Sequence, residues 1–209
     1  MKTDELIARL ATDPAAPTWS DARLLRGIVL AVALSAGAFL LVAGLRHDPS
    51  AYLQPLVATK TALALATFLL VLPQVPRLAR PGGEADPRLA WLGLPAVLAA
   101  ALFVVTLARQ PLGDSFAEFT PFEVAECAGF ITLISVAPVL AVFALLRRGA
   151  VTRPLRAGAI GGLAAASGSA AGYSLFCTQD NPVFYVFWYG LTVLAITALS
   201  AWAGGRFLR

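Results

Sequence analysis

The sequence predicts an all-α polytopic membrane protein, a six-transmembrane-helix bundle with both termini cytoplasmic. Three observations carry that prediction. The chain of 209 residues is 58% hydrophobic and only 13% charged, a balance that leaves too little polar surface for a soluble bundle of this size. Uncharged runs cover residues 27–45, 89–108, 127–146, 157–179 and 181–205, each bounded by charged residues, and a sixth, 56–75, is interrupted only by Lys60. Each reaches the roughly 20 residues that cross a bilayer at 1.5 Å rise. Finally, the lysines and arginines are distributed unequally between the two sides that six spans define. One side receives Lys2, Arg9, Arg23, Arg26, Arg77, Arg80, Arg88, Arg147, Arg148, Arg153, Arg156, Arg206 and Arg209, the other only Arg46, Lys60 and Arg109. Basic residues mark cytoplasmic loops, so both termini face the cytoplasm.

The elements follow in order. Residues 1–23 form a cytoplasmic segment with a short amphipathic helix: Thr3 caps it, Asp4 and Glu5 occupy the first turn where the helix dipole favours acids, and Pro14 ends it. Acids at the start and breaks at Pro14 and Pro17 exclude a cleavable signal peptide. Leu6, Ile7 and Leu10 share one face, which calls either for a protein partner or for the membrane surface, because so short a helix is marginal alone. Residues 24–209 form the six-helix transmembrane domain. Lys60 lies close enough to the start of the second span to snorkel to the headgroups. The connection 77–88, with Pro81, Gly82, Gly83 and Pro87, and the basic connection 147–156 are turns, and 109–126 is the longest outer loop. The fifth span carries Gly158, Gly161, Gly162, Ala166, Gly168 and Gly172, whose small size admits a neighbouring helix backbone. The sixth opens with Phe184, Tyr185, Phe187, Trp188 and Tyr189, rings expected to anchor at the outer interface.

The catalytic inventory is nearly empty. No span carries a charge near its middle, which speaks against ion pumping. The single histidine, His47, falls outside the spans, and no zinc-spaced set, phosphate loop or C-x-x-C pair occurs. An enzyme is not expected, and no cofactor is implied. The basic balance is accounted for by arginines facing anionic lipid, without direct nucleic-acid binding. What chemistry remains lies in the two cysteines, Cys127 at the outer start of the fourth span and Cys177 at the outer end of the fifth. Antiparallel helices joined by one loop bring both to the same depth. Three readings stand open: a structural disulfide, two unrelated small hydrophobes, or a dithiol that is oxidised or metallated as a signal, with nearby carboxylates able to add oxygen ligands.

The opening residues 1–11, Lys60 early in the second span, Cys127 at the head of the fourth, and the turn Phe176, Cys177, Thr178, Gln179, Asp180, Asn181, Pro182 followed by Trp188 and Tyr189 resemble the NrsF family, negative regulators of sigma F. The resemblance runs nearly end to end. It implies a multi-pass protein of the bacterial inner membrane that holds an extracytoplasmic-function sigma factor and releases it under heavy-metal or oxidative stress. Carried over by residue, Asp4, Glu5, Leu6, Ile7 and Leu10 become the sigma-docking surface, and Cys127 with Cys177 the metal or redox sensor. Two other classes compete with this reading: a small transporter of an uncharged or lipidic solute, which needs no midplane charge, and a scaffold within a membrane complex.

Overall fold

The computed structural model describes residues 3, 5, 20–80, 90–91, 93–109 and 119–208. Helices occupy all six apolar runs: α1 (Asp21–Ala43), α2 (Pro55–Leu78), α3 (Gly93–Arg109), α4 (Pro121–Leu146), α5 (Pro154–Tyr173) and α6 (Pro182–Phe207). No strand occurs among the described residues. By length and composition α1, α2, α4 and α6 are long and apolar enough to cross a membrane. Helix α3 has 17 residues, about 25 Å of rise. Helix α5 is long enough at 20 residues, but its glycines, alanines and serines make it less hydropathic than the helices around it.

That composition suits its position at the hub. Its residues are mostly buried, and it packs against α1, α2, α4 and α6. A Cβ added to Gly158 would collide with the Ser200 carbonyl and the Gly204 Cα, and one on Gly204 would meet the Pro154 carbonyl. Here two backbones touch because neither residue carries a side chain. Further along α5, a Cβ on Gly168 would lie 2.9 Å from Val32, and one on Gly172 2.5 Å from Ala36. Helix α1 answers with Leu24, Ile28, Val32 and Ala36, a four-residue spacing that keeps one face on the bundle. It stops at Gly44, whose φ of 88° lies in the left-handed region that favours glycine.

Helix α4 shows how a break in backbone pairing is repaired. It starts on a capping box: Thr120 accepts from the Glu123 amide while Glu123 accepts from the Thr120 amide. Midway, Pro138 has no N–H to offer the Ile134 carbonyl. The Ser35 hydroxyl of α1 donates to that carbonyl instead, at 2.7 Å. Such a repair matters most where no water can substitute.

The bundle has two chemically distinct ends. At the arginine end, Arg80 pairs with Asp21 at 2.6 Å, Arg147 donates to the Phe207 carbonyl, and the Ala150 amide donates to the Ala79 carbonyl. At the cysteine end, Asp48 caps a short 3₁₀ turn (Pro49–Leu53), accepting from the Ser50 hydroxyl and amide. Those two bonds, the hydroxyl first, hold its carboxyl below the usual value.

Candidate functional site

The cysteine end is built on the turn between α5 and α6. Helix α5 ends at Tyr173, and the Cys177 amide donates back to the Tyr173 carbonyl, closing the turn. Asn181 then caps the start of α6 by accepting from the Val183 amide. Between them, the backbone carbonyls of Cys177 and Gln179 face inward, where each needs a donor. Lys60 supplies both.

The Lys60 ammonium donates to the Cys177 carbonyl at 2.8 Å, the Gln179 carbonyl at 3.0 Å and the Asp180 carboxylate at 3.0 Å. Three donors meet three acceptors. The residue is only 2% exposed, so the expected snorkelling to the headgroups is corrected: a buried acceptor set offers the ammonium more than the interface does. Asp180 is shared with Arg46 from beyond the end of α1, at 2.7 Å, and Tyr52 donates to the Leu175 carbonyl. On the other side the Gln179 side-chain amide donates to Glu123 at 2.9 Å. This clasp joins the ends of α1, α2, α4 and α5 around one turn. Sequence reasoning noticed Lys60 but missed the clasp. The available signal was a lone cation in one apolar run and an acid, Asp180, directly after another.

Cys127 and Cys177 are brought together in one apolar cluster with Tyr173, Phe184, Tyr185 and Tyr189. Cys127 is 0% and Cys177 6% exposed, and both thiols are free. They are close enough to act on each other electrostatically, with the Tyr173 and Tyr189 hydroxyls in the same neighbourhood. The Cys177 thiol faces the Gln179 carbonyl at 3.9 Å. A cavity of about 140 Å³ opens beside it, walled by Arg46, His47, Glu123, Glu126 and Cys177 among others. Cys127 is not among the residues that line it. Among the described residues no three His, Cys, Asp or Glu side chains converge as a metal cage.

The aromatic cluster at the head of α6 is also placed differently from expectation. Phe184, Tyr185 and Tyr189 turn inward and are buried, while Phe187 is exposed. A π-helical turn over Tyr185–Tyr189 widens the helix and sets both tyrosines on the bundle side. Of the residues expected to dock a partner, Glu5 is helical and exposed. Asp4, Leu6, Ile7 and Leu10 lie outside the described residues.

Comparison with known proteins gives matches along nearly the whole chain. The family described as "Negative regulator of sigma F" matches residues 10–209. The chain is 32% identical over 217 residues to a protein of Azospira oryzae named "Probable anti-sigma-F factor NrsF", with all of both chains covered. It is likewise 32% identical over 229 residues to the "Anti-sigma-F factor NrsF" of Caulobacter vibrioides, again over the whole of both. No solved structure matches. With the match spanning both the helices and the cysteine turn, the chain belongs to the NrsF family, the negative regulators of sigma F.

Proposed function

We propose that this protein is a six-span anti-sigma factor of the bacterial inner membrane, with both termini cytoplasmic and the cysteine end in the periplasm. It holds an extracytoplasmic-function sigma factor through the N-terminal segment, with Asp4, Glu5, Leu6, Ile7 and Leu10 as the docking face. Oxidation of Cys127 and Cys177, or capture of a thiophilic metal ion by them, releases it. The observation that supports this reading is the pair of free thiols buried together under a single clasped turn beside a cavity.

A thiol sealed in an apolar cluster is inert until its cover opens. Cys177 borders the cavity and reacts first, and Cys127 then resolves it. A sulfur–sulfur bond forms, both thiols lose their protons, and two electrons pass to the oxidant. Drawing Cys177 toward Cys127 pulls on the turn held by Lys60, and α5 has little slack to absorb the movement, because its glycines are packed against α1, α4 and α6, with Gly158 in backbone contact with α6. The displacement is passed along α5 to the arginine end, where the docked partner sits.

The test is release of the sigma factor from membranes on exposure to cadmium or a thiol oxidant. The variant Cys127→Ser/Cys177→Ser should keep the sigma factor bound under both treatments, and release equal to wild type would refute the sensor. Deleting residues 2–13 should leave the sigma factor free in unstressed cells; retained binding refutes the docking face.

A further inference from the structure

The Cys177 thiol donates to the Gln179 carbonyl at 3.9 Å, an acceptor it shares with Lys60. Its sulfur lone pairs remain for other partners. Two phenol hydroxyls are within reach of that sulfur, Tyr173 from the end of α5 and Tyr189 from the π turn at the head of α6. Their ring centroids lie 5.6 Å apart. Tyr173 and Cys177 both line the cavity of about 140 Å³, so a molecule entering it meets the sulfur and one phenol together.

Tyr189 is the costly member of the pair. It is 6% exposed, and its hydroxyl has no hydrogen-bond partner among the described residues. A buried hydroxyl left unpaired is destabilising, and phenylalanine would fill the same space without that cost. A thiol sulfur is too weak an acceptor to satisfy it. An oxygen bound to that sulfur would be a strong acceptor. The donor is thus in place before its acceptor exists, which is how a site favours a reacted state over the resting one. Tyr185, whose hydroxyl is unpartnered as well, has Asp180 in electrostatic reach instead of a thiol.

Building on the sensor reading, we infer that Tyr173 and Tyr189 are the oxygen-binding donors of the Cys177 site and that its oxidant is a small hydroperoxide. The Cys177 sulfur attacks one peroxide oxygen. A sulfur–oxygen bond forms as the oxygen–oxygen bond breaks, and the thiol proton goes to the departing oxygen, which leaves as an alcohol or water. Cys177 is then a sulfenic acid. The phenols donate to its oxygen and hold it while the Cys127 sulfur attacks the Cys177 sulfur. A sulfur–sulfur bond forms, the sulfur–oxygen bond breaks, and the oxygen leaves as water with the Cys127 proton. Two electrons pass in all from the two thiols to the hydroperoxide. A cavity of this size admits hydrogen peroxide and its small alkyl derivatives.

The experiment uses the full chain in detergent with Cys127→Ser, so that oxidation by hydrogen peroxide stops at the Cys177 sulfenic acid. Samples are quenched into denaturant containing dimedone, which traps that acid for counting by mass spectrometry. Adding Tyr189→Phe or Tyr173→Phe, each of which removes only a hydroxyl, should slow its formation about tenfold, the effect of one hydrogen bond made in the transition state. Alkylation of Cys177 by N-ethylmaleimide places no oxygen on the sulfur, and in the same variants it should stay within about twofold of the parent. Both rates should be unchanged in Tyr185→Phe. Sulfenic acid formation at the parent rate in both phenol variants overturns the assignment. So does an equal change with both reagents, which would mean altered access to the thiol. Absence of sulfenic acid in the parent overturns the hydroperoxide, while the sensor reading stands or falls separately on release of the sigma factor by cadmium.

Discussion

Lys60 is the residue on which the cysteine end depends, and its energetics set a first prediction. Removing one member of a buried, hydrogen-bonded ion pair costs about 3 to 5 kcal/mol, because the remaining polar groups are left uncompensated. In Lys60→Met the carbonyls of Cys177 and Gln179 lose their shared donor, while Asp180 keeps Arg46. The turn should open, and alkylation of Cys177 by a membrane-impermeant maleimide should accelerate about tenfold or more; an unchanged rate would show that the clasp does not guard the thiol. Ser35 makes a second, smaller prediction. Its hydroxyl satisfies the carbonyl freed by Pro138, so Ser35→Ala should lower stability by about 1 to 2 kcal/mol in a detergent unfolding titration. Lys60 stands out by its charge, and Ser35 does not. A serine in an apolar span reads as a small packing residue, and only its neighbour across the helix pair reveals the carbonyl it serves.

Among the elements, α5 separates glycines that are required from glycines that are incidental. Gly158 and Gly204 stand backbone to backbone, and Gly162 faces Ser200, whereas a Cβ on Gly129 of α4 would meet nothing within 4 Å. Gly158→Leu should cost about 3 kcal/mol, or prevent assembly, because the clash is with backbone that cannot move aside. Gly129→Ala should be neutral or stabilising by about 0.5 to 1 kcal/mol, since it removes only the entropy of a flexible residue. Thermal unfolding of the two variants side by side distinguishes packing from composition. The small-residue spacing in α5 was readable as a close-packing helix. Which helix it meets, and that it forms the hub, was not, because spacing defines a face without naming its partner. The head of α6 failed for a related reason: the five aromatic residues look alike in sequence, and a π turn decides that Tyr185 and Tyr189 point in while Phe187 points out.

At the scale of the whole molecule, the proposed orientation predicts which reagents reach which end. With the native thiols replaced by serine, His47→Cys should react with an impermeant maleimide added outside spheroplasts, and Arg148→Cys only after the membrane is opened. The reverse pattern would invert the topology and remove the periplasmic sensor. The two ends differ in more than charge. At the arginine end the ion pair between Arg80 and Asp21 is exposed, and contributes little in water. At the cysteine end the cations are drawn into a buried network with defined acceptors.

The sequence by itself determined the helical class, the positions of six apolar helices, the clustering of basic residues in alternate connections and the family. All of these are written in composition and in periods of a single segment, where hydropathy and length act residue by residue. Tertiary structure decided that Lys60 is buried rather than snorkelled, that Ser35 answers Pro138, that the two thiols share one cluster, and that Tyr185 and Tyr189 are buried on the bundle side. Each of these depends on which helix faces which. Pairing of a donor with an acceptor more than a hundred residues away is a property of the packed bundle, because a buried polar group is stabilised only by the partner that folding brings to it.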